Sequence, residues 1–324
     1  MCRMLPRRTA EGFGLVEVLV ALALGLLVVI AAVAVLVRAG DLRRAVEADA
    51  RLQETARHAL ALLEADVRMA GYWGLARTGA VTTETSITFP DKCGRRAWVD
   101  ATAPVVDGSN GTWLGASGCT ASSGGHLAGT DVLVVRRASA QRIVPDASLV
   151  PSSDRNRVVV ASGHVSGTVF VPSDHGGGWP AGYDPTDRPD EPPLAELRAL
   201  AVNAYYVSAD SSVGRGFPAL RRKSLVAGPD IGDDELAIGI EDLQVRIGAD
   251  VSGDGVPDAW VGAGALPAGA RPVTVSIALV VRSETRESGY PDTAPADETT
   301  PTWVTDGHRR LRLARTVWLR NSQP

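Results

Sequence analysis

From Phe13 to Val37 the chain reads FGLVEVLVALALGLLVVIAAVAVLV, an apolar run whose one charge is Glu17. As a helix it is roughly 37 Å long, enough to cross a bilayer. The preceding stretch, MCRMLPRRTAEG, carries Arg3, Arg7 and Arg8, which favours leaving it in the cytoplasm. Arg38, Arg43 and Arg44 on the far side weaken that asymmetry, so orientation rests on more than charge. A carboxylate inside such a segment costs about 2.5 to 3.5 kcal/mol, so Glu17 needs a partner or a purpose.

An ordinary secretory signal cut after Ala32-Val33-Ala34, or a plain signal anchor, would account for the apolarity but not for a glycine at Gly12 and an acid at Glu17. Gly12-Phe13-Gly14-Leu15-Val16-Glu17 followed by an unbroken apolar helix resembles the class III signal of type IV prepilins. The resemblance implies a prepilin peptidase that cuts between Gly12 and Phe13 and N-methylates Phe13. Cleavage would place a new, largely protonated amine four residues from Glu17. In that family the glutamate pairs with the N-terminal amine of an adjacent subunit, which offsets the burial of both charges when subunits meet.

Beyond the membrane run, Leu42, Val46, Leu52, Ala56, Leu60, Leu63, Val67 and Ala70 recur at three- and four-residue intervals between charged residues. No proline interrupts residues 13–70, so a nearly continuous helix of roughly 87 Å is expected, with Gly71 placed to end it. The stretch from Arg51-Leu52-Gln53-Glu54-Thr55 to Arg68-Met69-Ala70-Gly71-Tyr72-Trp73-Gly74 resembles the helix end of PilW-type minor pilins. Glu241-Asp242-Leu243-Gln244-Val245 and Val317-Trp318-Leu319-Arg320-Asn321 extend the likeness intermittently. Members often carry a cysteine just after the GYWG run, where this chain has Leu75. Tyr72 and Trp73 are expected in the core.

After Gly74 the sequence turns to short β-type runs separated by Gly, Pro, Ser and Asp: 130–137, 157–161, 167–171, 201–208, 236–247, 271–282 and 310–320. Val273, Val275, Ile277, Leu279 and Val281 alternate, as do Leu311, Leu313, Val317 and Leu319, so these strands should each press one face onto a core. The expected fold is α+β: a long N-terminal transmembrane and amphipathic helix packed on a mostly antiparallel, β-rich, pilin-like globular domain. The expected divisions are a leader at 1–12, a membrane segment at 13–37, its amphipathic continuation at 38–74 and an exported body at 75–324. Pro172 to Pro193 and Ser283 to His308 read as long polar loops, candidate contact surfaces or tolerated insertions.

With 33 basic and 37 acidic residues the chain is mildly acidic, and loss of the arginine-rich leader makes it more so. That argues against general nucleic-acid binding; Arg136, Arg137 and Arg142, or Arg221, Arg222 and Lys223, are the basic groups that could touch phosphates. Once Cys2 leaves with the leader, Cys93 and Cys119 form an even pair, and two thiols in an exported domain suggest a disulfide. Such a bridge would constrain the unfolded chain by roughly 3 to 3.5 kcal/mol. Zinc would need two more ligands, and His126 is the nearby candidate.

Asp250, Ser252, Asp254 and Asp258 fall at places one, three, five and nine of an EF-hand-type loop, with Gly255 at place six and the Val256 carbonyl at place seven. The twelfth place is Val261, not a bidentate glutamate, so calcium competes with a plain Asp/Gly turn between strands. No HExxH, GxSxG or Walker-type motif is present, and the five histidines are dispersed, so no enzyme is expected. The resemblance implies a non-catalytic minor pilin that helps initiate assembly near the tip. Its implied partners are the prepilin peptidase, other minor pilins, the major pilin, a tip adhesin and the inner membrane. The rivals are a type II secretion pseudopilin and a membrane-anchored module that binds calcium, a surface or DNA.

Overall fold

The computed structural model describes residues 14–84, 87, 102–114, 124–144, 149–183, 195–228, 230–287 and 306–321. Helix α1 spans Leu15–Arg68, and Gly71 (φ +73°) follows the turn that ends it. Glycine is needed there: the left-handed φ is costly for other residues, and a Cβ would also press on Thr78 and Val105.

The chain divides into two compact units, Met1–Ala50 and Arg51–Pro324. In the first, every side chain from Leu15 to Val37 is exposed, including the large aliphatics. An all-round apolar helix is unstable in water, and this one is long and apolar enough to cross a membrane. Leu42 and Val46, part of the periodic stripe, are also exposed, and burial starts only at Leu52.

In the second unit, Leu52, Ala56, Ala59, Leu60, Leu63 and Val67 of α1 are buried in the main core. The strands of the body are β1 (Val81–Thr83), β2 (Val106–Ser109), β3 (Val132–Ile143), β4 (Val159–Gly163), β5 (Gly167–Phe170), β6 (Ala195–Ser208), β7 (Ala219–Val226), β8 (Asp230–Ile238), β9 (Ile240–Asp250), β10 (Ala259–Gly262), β11 (Arg271–Arg286) and β12 (His308–Trp318). Among the described residues they form two sheets. The larger runs β1-β5-β4-β6-β3-β2, with β7 on β6 and β8 on β7; the smaller runs β10-β9-β11-β12. Among the described residues only the short β1–β5 contact is parallel, so the body is mostly antiparallel, as expected.

Strand β6 organises the larger sheet. One side pairs with β3, while the other pairs first with β4 and then, from Asn203 onward, with β7. In the smaller sheet, Val273, Val275, Ile277, Leu279 and Val281 of β11 and Leu243, Val245 and Ile247 of β9 are buried, which is the alternation their sequence displays.

Two expectations need correction. Residues 236–247 are not one strand: Gly239, at φ +80°, separates β8 from β9, and a Cβ there would stand 2.9 Å from the Arg282 carbonyl oxygen. The stretch after Pro172 is not simply a polar excursion either. A 3-10 turn at Pro172–His175 leads to Trp179 and Tyr183, which pack on a small second core of Val150, Val159, Ala161, Phe170 and Leu197. The rest of that stretch, and most of the stretch between Ser283 and His308, lie outside the described residues.

Candidate assembly sites

The segment that follows the helix is hydrogen-bonded to two strands of the larger sheet, β3 and β4. The Gly71 amide donates to the Arg136 carbonyl, the Ala138 amide donates to the Tyr72 carbonyl, and the Leu75 amide donates to Ser162 Oγ. Trp73 is fully buried, as expected, and the guanidinium of Arg198 lies 5.3 Å from the centre of the partly exposed Tyr72 ring. Gly74 is demanded by close approach, since a Cβ would fall 2.4 Å from Ser162 Oγ.

Just before this segment, α1 places a carboxylate in the core. Asp66 is 4% exposed and accepts from Arg137 Nε at 2.6 Å on β3, and from Asn203 Nδ2 and Tyr205 Oη, both at 2.8 Å, on β6. A buried charge is tolerable only when paired and hydrogen-bonded, and here both oxygens are. Burial, and then the facing Asp66 carboxylate, push the Tyr205 hydroxyl well above the usual phenol range, so it stays a donor. The contact pins the end of the helix to the central strand of the sheet. The periodic stripe was read through its apolar members, which passed over Asp66; its place three residues after Leu63 and four before Ala70 was the available signal.

The C-terminal strand is fastened to the same helix. Arg315 pairs with Glu64, which also pairs with Arg68, and Asn321 Nδ2 donates to the Met69 and Ala70 carbonyls at 3.5 and 3.3 Å. The Met69 carbonyl also accepts from the Tyr72 amide at 3.0 Å; the last carbonyls of a helix depend on such donors from outside it. The arginine hydrogen bond holds the Glu64 carboxyl below its ordinary value, against a smaller desolvation effect.

The basic groups considered for phosphate contact have other work. Arg136 is 1% exposed and donates to the Pro104 carbonyl; burial pulls its guanidinium down to about 10, with Asp107 opposing. Arg137 belongs to Asp66. Arg221 bonds Asp233 and Glu235, Arg222 bonds Asp234, and Lys223 bonds Asp233. Arg142 also has a partner. Each of these basic groups thus has a partner within the chain.

Asp250, Ser252, Asp254, Val256 and Asp258 come together in the turn between β9 and β10. Asp250 accepts from the Gly253 and Gly255 amides at 2.6 and 2.9 Å, and Asp258 accepts from the Val251 and Ser252 amides at 2.7 and 2.9 Å. Desolvation would raise the Asp250 carboxyl, but the two glycine amides bring it below its usual value; the amides of Ser252 and Val251 do the same for Asp258. Asp254 is spent on the Val256 amide. Ser252 Oγ lies 3.3 Å from one Asp250 oxygen and 3.4 Å from one Asp258 oxygen, so three oxygens converge. Among the described residues no group of three or more His, Cys, Asp or Glu side chains is placed to hold a metal.

Glu17 lies in the first turn of α1, exposed among exposed aliphatics. Gly12, Phe13, Cys93 and Cys119 lie outside the described residues. His126, the zinc candidate, sits with Nε2 3.0 Å from the Thr130 carbonyl, 3.1 Å from Thr130 Oγ1 and beside Trp113; burial lowers its basicity.

Residues 204–321, from the end of β6 through β12, match the family model described as PilW, the type IV pilus-assembly protein W. That match supports a PilW-like type IV pilus family. It supports involvement in type IV pilus assembly with it. The PilW-like region holds Glu241–Val245, in β9, and Val317–Asn321, at the end of β12 and its exit, whereas the Gly71–Gly74 segment lies outside the match. No curated protein and no solved structure matches the chain.

Proposed function

We propose that the chain is a non-catalytic minor pilin that helps start a type IV pilus and sits near its tip. The observation that carries this reading is a single helix with two characters. Its first half presents bare aliphatic surface with Glu17 in the opening turn, and its second half is buried in a β-rich body with PilW-like strands. A membrane-held precursor needs the first half for lipid and, later, for neighbouring helices; it needs the second to carry the exported body.

In this reading the prepilin peptidase removes residues 1–12 and methylates Phe13, the body lies in the periplasm, and Glu17 meets the amine of a neighbour as the filament grows. Other minor pilins, the major pilin and a tip adhesin are the partners. Intact-mass measurement should give a mature chain starting at Phe13, and a deletion strain should lose surface pili; a chain starting at Met1, or unaltered piliation, would refute the proposal. Loss of exoprotein release with pili intact would instead point to a secretion pseudopilin.

We further infer a weak calcium site at the β9–β10 turn, favoured by the convergence of Asp250, Asp258 and Ser252 oxygens. Two carboxylates and a hydroxyl suit a hard cation, although the bidentate twelfth ligand is lacking. Calorimetry of the wild type and of Asp258→Asn, which removes one of the converging charges, decides it: equal heats leave a turn held by its own amides.

A further inference from the structure

Glu17 and Arg38 bracket residues 18–37, which carry no charge. At the rise of an α-helix the two stand about 31 Å apart along α1, close to the roughly 30 Å of a bilayer's hydrocarbon. With Glu17 at one boundary, Arg38 therefore arrives at the other. Arg43 and Arg44 follow, and all three arginine side chains are exposed. They climb about 9 Å along the axis, so with the reach of the side chain every guanidinium can enter a headgroup layer about 5 to 8 Å deep. At about 100° per residue, Arg43 and Arg44 lie about 140° and 240° round the helix from Arg38, so the three divide its circumference almost evenly. They form a ring, not a stripe. Asp41 is the acid inside this stretch; it stands 3.6 Å from Arg44 with both side chains largely exposed, a pairing of little strength in water. The next acids, Glu47 and Asp49, lie farther from the apolar run.

We propose that Arg38, Arg43 and Arg44 form a collar for the phosphate groups of anionic lipid at the C-terminal end of the membrane segment. The inference rests on the reading of α1 as a membrane anchor. A guanidinium presents a planar fork of N–H donors that matches a phosphate, and each arginine near an anionic membrane surface strengthens attachment roughly fivefold. The occupant follows from the ring. A protein segment or a second copy of this chain approaches a helix from one side and would meet one or two of the three arginines, whereas lipid headgroups surround the helix and meet them all. The order of charge along the axis agrees: apolar to Val37, basic from Arg38 to Arg44, acidic at Glu47 and Asp49. Such a collar sets the depth of the helix. It holds Glu17 at the opposite boundary and out of the hydrocarbon centre, and its lipid contacts must break whenever the helix leaves the bilayer.

The test takes the full chain, leader included, in mild detergent with equal amounts of phosphatidylglycerol and phosphatidylcholine, and counts the lipids it retains by native mass spectrometry. The wild type should retain phosphatidylglycerol several-fold in preference to phosphatidylcholine. Arg38→Gln, Arg43→Gln and Arg44→Gln should each lower that preference and the triple variant should abolish it. The urea midpoint of the body should stay at the wild-type value throughout, because the three side chains lie outside the core. A preference untouched by the triple variant, or carried by one arginine alone, would overturn the proposal; so would its loss in Arg7→Gln/Arg8→Gln, which would place the lipid at the leader. Displacement of the lipid by an equal concentration of inorganic phosphate would overturn it too, leaving a site for free anion. Failure of the anchor reading looks different: the chain would then stay in solution without detergent and enter vesicles of neither lipid. A chain that enters both kinds of vesicle and retains both lipids alike keeps its anchor and loses the collar.

Discussion

Asp66 shows how much one residue can decide. Its carboxylate gathers donors from β3 and β6 onto the last turn of the helix, and all three donors are buried or partly buried around it. Replacing Asp66 by alanine would leave the Arg137 charge and two polar groups without their acceptor. Removing one member of a buried charge pair typically costs about 3 to 5 kcal/mol, so Asp66→Ala should lower the urea midpoint of the body by a corresponding amount. A change below about 1 kcal/mol would show that the contact is incidental. Asp306 gives the matching statement about pH. Its hydrogen bond from Arg310 holds the carboxyl well below the usual range, outweighing desolvation. A depressed carboxylate contributes stability that is complete above the unfolded value of about 3.9 and is lost as pH falls through the folded value. Urea midpoints should therefore be flat near neutrality and drop below about pH 4, with a shallower drop in Asp306→Asn.

At the scale of elements, β11 was legible because Val275, Ile277, Leu279 and Val281 are buried between less buried neighbours, and alternation is visible in one dimension. Strand β7 was not, because Arg221, Arg222 and Lys223 interrupt any apolar pattern. The signal lay in the pairing: these three cations stand opposite Glu235, Asp234 and Asp233 in register, a complementary hairpin readable only when both strands are considered together. The corner at Gly239 was missed for another reason. Residues 236–247 keep a strand-like composition through it, and what breaks them is a backbone conformation combined with the nearby Arg282 carbonyl, a long-range contact. Gly239→Ala meets both a left-handed φ and a 2.9 Å approach, so it should cost about 1 to 3 kcal/mol in chemical denaturation. Gly253→Ala, at φ +82° but with open space around it, should cost less. Equal losses would mean that φ alone governs the corner.

At the scale of the whole molecule, the long apolar helix was the most legible part, since its composition is visible in one dimension, while the hub at Asp66 depends on distant segments meeting. The two compact units lead to a prediction about independence. Every residue of α1 in the main core lies at or beyond Leu52, and the large aliphatics from Leu15 to Val46 are exposed. A fragment of residues 51–324 therefore keeps the core contacts of α1, the Asp66 hub and the Glu64–Arg315 pair. It loses a segment that is apolar on all sides, so it should be soluble and monomeric without detergent, whereas the full chain requires it. Its urea midpoint should match that of the detergent-solubilised full chain within about 0.5 kcal/mol, the usual range for changes away from structural contacts. The complementary variant is Glu17→Ala in the full chain. It leaves the body untouched, so its folding midpoint should equal the wild type, yet it should enter filaments poorly if the acid meets a neighbouring amine. A fragment that unfolds, or a Glu17→Ala chain that assembles normally, would separate folding from assembly in the opposite sense: the first would make the apolar half part of the fold, and the second would leave it an anchor only.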